Sequence, residues 1–193
     1  DAWDTALVFS NIEFEEDIWF LNISKYLIFS ECRFRDGLQF FDGMPHLRIE
    51  NSVISFATLV FVRTSMIFQN NFITGNTGRI EVVFNQNFQI LHNRFIDARH
   101  AYPISISKAS NGTIAENLIQ NSQHGISCKF SDNIVIENNQ LKNIVDGIFL
   151  ERTKDCVIIR NKFQNLLEDQ INQMDNENVV VSNNEVILPR LFE

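Results

Sequence analysis

Apolar and polar positions alternate along this chain in short runs that recur about every 21 residues. Nine times an apolar triplet of strand-forming residues runs into a polar residue and then into Asn or, once, Glu. These positions are Asn11, Glu31, Asn51, Asn70, Asn93, Asn117, Asn138, Asn161 and Asn183, with gaps of 20, 20, 19, 23, 24, 21, 23 and 22 residues. A fixed period of this size marks stacked repeats, each too small to bury its apolar face alone. The residues four and two places before each position should share one strand face and point inward with it. They run from Leu7/Phe9 and Leu27/Phe29 through Gln89/Leu91, Thr113/Ala115 and Val157/Ile159 to Val179/Val181. The residue between each pair should face outward.

A second apolar anchor follows each polar position by two or three residues: Phe14, Phe34, Ile54, Phe72, Phe95, Ile119, Leu141, Phe163 and Val186. A third short strand follows in most repeats, as in Leu59–Phe61, Ile104–Ile106, Ile126–Cys128 and Ile148–Leu150. Three strands in about 21 residues leave no room for a helix. The pattern therefore predicts an all-β fold, a single-stranded parallel β-helix of about nine coils spanning residues 1–193 as one domain. Coils should stack at the strand spacing of ~4.8 Å, with the right-handed winding that parallel crossovers adopt. The asparagines suit the bends, because Asn tolerates left-handed backbone angles. Stacked, their amides would bond to one another along the rod as an inward ladder.

The repeats Asn133-Ile-Val-Ile-Glu-Asn-Asn-Gln-Leu with Asp146-Gly-Ile-Phe-Leu, Asp155-Cys-Val-Ile-Ile-Arg-Asn-Lys-Phe, and Gln89-Ile-Leu-His-Asn-Arg-Phe resemble the parallel β-helix repeat of the pectin-lyase-like superfamily. The resemblance covers roughly residues 6 to 187. It implies a fold, and it implies that a polysaccharide, uronate-bearing in several members, would lie along the third-strand sheet. Calcium enters by that analogy alone, since the sequence clusters no carboxylates that would hold it. Fold alone does not choose among the chemistries the superfamily supports.

The outward positions of the third strand are apolar in the early coils (Trp19, Val60, Val62, Val83) and polar in the later ones. There Glu81, Ser105, Ser127, Lys129 and Glu151 are candidate substrate-binding residues. Aligning the coils also stacks Tyr102, His124, Asp146 and Asp169 at the strand entrances. His124 with Asp146 has the chemistry of an acid/base pair. Asp146 over Asp169 would place two carboxylates at ~5 Å, a spacing used by retaining glycosidases. Tyr102 would stack on a sugar ring and Lys129 would neutralise a uronate. Against catalysis stand short turns and the lack of any lyase signature. The expectation is recognition or processing of an extended glycan, with binding favoured over turnover.

Charge narrows the partners. A formal net charge of −8 argues against nucleic acid and anionic membranes, and no apolar run is long enough to cross a bilayer as a helix. The histidines (His46, His92, His100, His124) and the three cysteines show no metal-ligand spacing. The chain opens at Asp1 without Met, consistent with a piece excised from a longer, extracellular or periplasmic protein. A rival function rests on the central residues of the first strand: Val8, Ile28, Ile67, Ile90, Ile114, Val135, Ile158 and Val180, interrupted by Arg48. If outward, they would form an aliphatic stripe for homo-oligomers or a neighbouring domain. Only Trp3 and the segment Leu188–Phe192 offer to cap the ends of the solenoid.

Overall fold

The computed structural model describes residues 6–21, 26–41, 46–99 and 102–187. Its strands form three parallel sheets. The first contains nine strands (Leu7–Ser10, Leu27–Ser30, Leu47–Glu50, Met66–Gln69, Gln86–Leu91, Ser110–Ala115, Asp132–Glu137, Val157–Ile159 and Val180–Ser182). The second also has nine, from Glu13–Phe14 to Glu185–Ile187. The third has eight: Ile18–Leu21, Leu38–Phe41, Thr58–Val62, Arg79–Val83, Ile104–Ser107, His124–Lys129, Asp146–Glu151 and Ile171–Met174. Each strand pairs with its equivalent one coil away, so the chain is a parallel β-solenoid of eight full turns and a further pair of strands. No helix occurs among the described residues. The anticipated caps, Trp3 and Leu188–Phe192, lie outside them.

The ladder is present, but its register differs from the one expected in most coils. The buried column is Cys32, Ser52, Asn71, Asn93, Asn117, Asn139, Asn161 and Asn184. Asn93, Asn117 and Asn161 occupy it as anticipated and are at most 1 % exposed. Asn11, Asn51, Asn70, Asn138 and Asn183 do not. Each lies one residue earlier, at the bend itself, with φ between 52° and 56°. Glu31 also sits there (φ 56°), as do His92, Glu116 and Arg160 in the coils where the ladder asparagine was correctly placed. Two neighbouring positions thus both favour Asn, for different reasons. The first needs a left-handed backbone, and the second needs an amide that can both give and accept.

Bonding within the column is complete at each step. The Asn117 side-chain oxygen accepts from Asn93 twice, from the backbone N–H at 2.9 Å and from Nδ2 at 3.0 Å. Asn93 Nδ2 also donates to the Phe68 carbonyl at 2.9 Å. The pattern repeats for Asn117 on Asn139 and for Asn139 on Asn161. Nearer the amino end the amide gives way to Ser52 Oγ, which accepts from the Cys32 N–H at 3.0 Å.

In the three coils whose ladder asparagine was correctly placed, the strand faces are inverted instead. The left-handed residue at the bend (His92, Glu116 or Arg160) interrupts the alternation between strand and ladder. Phe88 and Ile90, Gly112 and Ile114, and Cys156 and Ile158 point inward in place of the expected pairs. Ile90, Ile114, Cys156 and Ile158 are all 0 % exposed. In the second sheet Ile73, not Phe72, is the buried anchor. The proposed aliphatic stripe is corrected accordingly. Ile90, Ile114 and Ile158 belong to the core, and the outward column reads Val8, Ile28, Arg48, Ile67, Gln89, Thr113, Val135, Val157 and Val180. Arg48, Gln89 and Thr113 break its middle.

Aromatic rings fill the early coils. Phe9 stacks on Phe29 and Phe14 on Phe34, each at 5.0 Å and 10°. Later coils are filled mainly by isoleucine. Where the Phe88 ring enters, the next coil has Gly112, whose Cβ would lie 2.0 Å from the ring. Removing such a ring leaves a cavity that costs about 3–5 kcal/mol.

A second polar column closes the corner between the third and first sheets: Thr64, Asn85, Ala109, Ser131, Thr153 and Asn176. Thr64 N–H donates to Asn85 Oδ1 at 3.0 Å, Ala109 N–H to Ser131 Oγ at 3.1 Å, and Thr153 N–H to Asn176 Oδ1 at 2.8 Å. Asn85 Nδ2 is buried without a partner. The next coil offers Ala109, which has no side-chain acceptor.

Candidate functional site

The third sheet turns its outward side chains to one face, and strand register sets them in columns along the rod. The central column runs Trp19, Gln39, Val60, Glu81, Ser105, Ser127, Phe149 and Asn172. The exit column includes Ser107, Lys129, Glu151 and Met174.

At the strand entrances the backbones of successive coils come unusually close. A Cβ on Gly125 would lie 2.2 Å from the Gly147 carbonyl oxygen, and one on Gly147 would lie 2.1 Å from that of Gln170. Both positions therefore require glycine. Each glycine follows a functional candidate, His124 and Asp146, which the register places side by side. His124 Nδ1 lies 2.8 Å from Asp146 Oδ2, and both side chains are about one quarter exposed. The Tyr102 ring stacks on His124 with centroids 4.5 Å apart and planes at 20°. Burial, and then the Asp146 carboxylate beside it, hold the Tyr102 phenol above its ordinary range.

Phe149 was not anticipated, yet it completes the cluster. Its centroid lies 6.4 Å from that of Tyr102. Lys129 Nζ sits 4.9 Å from the Phe149 ring centroid and 2.9 Å from Glu151 Oε2. One strand therefore carries both ends of a platform, His124 under Tyr102 and Lys129 over Phe149. Ser127 lies between them on the same strand, beside Phe149 in register. Although it faces outward by alternation, it is only 1 % exposed, and its hydroxyl is buried without a partner. Ser105, its neighbour, is half-buried.

Two of the expected residues lie at the edges of the cluster. Glu81 pairs with Arg79 on its own strand (Nη2 to Oε1, 2.8 Å) and borders the cluster through Ser105. Asp169 is exposed, and it is its backbone carbonyl that accepts from the Gly147 N–H at 2.9 Å. The register sets Asp146 beside Asp169, because Ile148 pairs with Ile171 two residues further on. Of the other histidines, His92 pairs with Glu116 at 3.2 Å and His46 stacks on Tyr26, while His100 lies outside the described residues.

All three cysteines are free and buried. Cys156 Sγ donates to the Lys154 carbonyl at 3.3 Å. The Cys156 thiol, and then burial, push the Cys128 thiol beside it well above its ordinary range. Among the described residues no three His, Cys, Asp or Glu side chains converge as a metal site would require.

This architecture defines the class as a parallel β-helix protein. The chain belongs to the NosD family, described as periplasmic copper-binding protein, whose profile matches residues 43–188. No curated protein sequence is similar enough to be matched with it. Among solved structures, one described as a candidate glycosyl hydrolase from Parabacteroides merdae is similar over 86 % of this chain and 81 % of its own, at 14 % identity and a TM-score of 0.33. A likeness so distant carries no argument about function.

Proposed function

We propose that the protein recognises an extended polysaccharide on its third-sheet face, outside the cytoplasm as the family's periplasmic description implies. The observation that supports this most is the platform of Tyr102, His124, Asp146, Phe149, Lys129 and Glu151, built from three successive coils. Ring faces stack on the apolar faces of sugars, and the ion-paired groups between them offer fixed donors and acceptors. Coil spacing of ~4.8 Å sets these groups in a row along the rod, which suits a linear chain.

Binding without turnover is the better reading. Glycoside hydrolysis requires two carboxylates flanking the scissile bond, and Asp146 is already engaged by His124. Copper is not part of the proposal. The Cys128–Cys156 pair is sealed at 0 % exposure, and among the described residues no third His, Cys, Asp or Glu joins it, so the residues described do not fit a copper centre. Assembly through the first-sheet stripe is weakened by Arg48, Gln89 and Thr113 on its outward face.

The test is a glycan array followed by titration of any hit against His124→Ala, which removes the surface under Tyr102. The reading expects a polysaccharide ligand whose affinity falls at least tenfold in the variant. An array without hits, or a hit indifferent to His124→Ala, overturns it.

A further inference from the structure

A concavity lies on a different face, the outside of the first sheet, and the platform residues take no part in it. It is a groove of about 470 Å³. Its floor is the outward column Ile28, Arg48, Ile67, Gln89 and Thr113, and the residues two places earlier in each coil, among them Tyr26, His46 and Asn87, form one side. Five coils contribute, so the groove follows the rod axis for roughly 19 Å at the ~4.8 Å strand spacing.

Three features of the lining point to one ligand chemistry. At one end the rings of Tyr26 and His46 stack at 4.7 Å and 9°, a ready aromatic wall for a sugar ring. Along the floor and side, Asn87, Gln89 and Thr113 supply uncharged donors and acceptors, and Asn87 and Gln89 are exposed. Between these features stands Arg48, the one permanently charged side chain among the lining residues, in a protein whose net charge is −8. Glu50 holds Arg48 through Nε at 2.7 Å and is itself held by Gln69 Nε2 at 2.8 Å. The terminal guanidinium nitrogens remain to grip a carboxylate in the forked geometry that arginine favours.

We infer that this groove is a second ligand site, separate from the third-sheet platform, and that it takes an acidic oligosaccharide whose carboxylate meets Arg48 while a sugar ring packs on Tyr26 and His46. The inference stands whether or not the platform binds glycan.

The experiment is calorimetric titration with tetragalacturonate, with cellotetraose as the neutral control. Expected are binding of the acidic oligomer, at least tenfold preference over the neutral one, and at least tenfold weakening in Arg48→Gln. Gln89→Glu changes an exposed side chain and sets a negative charge on the groove floor. It should weaken binding similarly, even if Arg48→Gln disturbs the fold. Both groove effects should persist in the His124→Ala background, where the platform is disabled. No binding of tetragalacturonate, equal affinity for cellotetraose, or a loss seen in His124→Ala but in neither groove variant would each overturn the assignment.

Discussion

Asn139 donates to the side-chain oxygen of Asn161 twice, from its backbone N–H at 3.0 Å and from Nδ2 at 2.9 Å. Its immediate neighbour Asn138 takes no part in this ladder and sits at the bend with φ 54°. The same amino acid at consecutive positions therefore does different work. Asn139→Ala strips the acceptor from two donors of Asn117 and leaves the Ile114 carbonyl without its Nδ2 partner. It should cost about 2–4 kcal/mol of unfolding free energy. Asn138→Ala gives up the tolerance of Asn for left-handed angles and its bonds to Arg160 Nε (3.1 Å) and Glu137 Oε2 (3.4 Å), and should cost ~1 kcal/mol. Urea denaturation of the two variants checks the difference. Equal costs would mean that the register is misassigned.

The orphan donor of Asn85 makes a second expectation. Ser131, one coil above Ala109, shows what a hydroxyl does in this column, accepting the Ala109 N–H at 3.1 Å. Ala109→Ser should give Asn85 Nδ2 the acceptor it lacks and stabilise the fold by about 1 kcal/mol. A rise in the denaturation midpoint with unchanged slope would confirm it, and a fall would show that the corner has no room.

Tyr102 predicts an alkaline limb of stability. Its folded pKa is raised above the ordinary 10.0, first by burial and then by Asp146. A raised pKa means that folding favours the protonated phenol. The stabilisation is complete below about pH 10 and is lost as pH climbs through the folded value. Tyr102→Phe should flatten this limb. The sequence has two tyrosines, so ultraviolet titration can follow the phenols directly. Asp146→Asn should lower the later transition only in part, because burial remains. A complete return to the ordinary value would make Asp146 the main cause.

The fold was legible because its signals repeat. A period near 21 residues, apolar alternation and recurrent Asn leave few architectures open. Register was less legible. In Asn70-Asn71, Asn138-Asn139 and Asn183-Asn184 both residues suit the corner, and the sequence does not say which turns inward. In Glu31-Cys32 and Asn51-Ser52 the ladder position holds no Asn at all. A usable signal lay in the strands: Phe88/Ile90 is the more apolar choice over Gln89/Leu91, and core demand favours it. The placing of Ile90, Ile114 and Ile158 in the outward stripe was an artefact of the same slip.

The third-sheet cluster was read largely from alignment, because its residues share one strand and its neighbours. Phe149 was readable too, since it falls between the inward Ile148 and Leu150. The corner column escaped because it mixes Thr, Asn, Ala and Ser, which show no period. The first-sheet groove escaped because it depends on Arg48, Gln89 and Thr113 facing outward together, which the shifted register had hidden.

The central claim, glycan recognition by the third-sheet platform, is tested most directly by amide chemical-shift mapping of the labelled protein with the oligosaccharides that score on an array. The account predicts that the largest shifts fall on Tyr102, His124, Ser127, Lys129 and Phe149, across adjacent coils of one face. If those amides stay still for every glycan that binds, the platform is not the recognition surface.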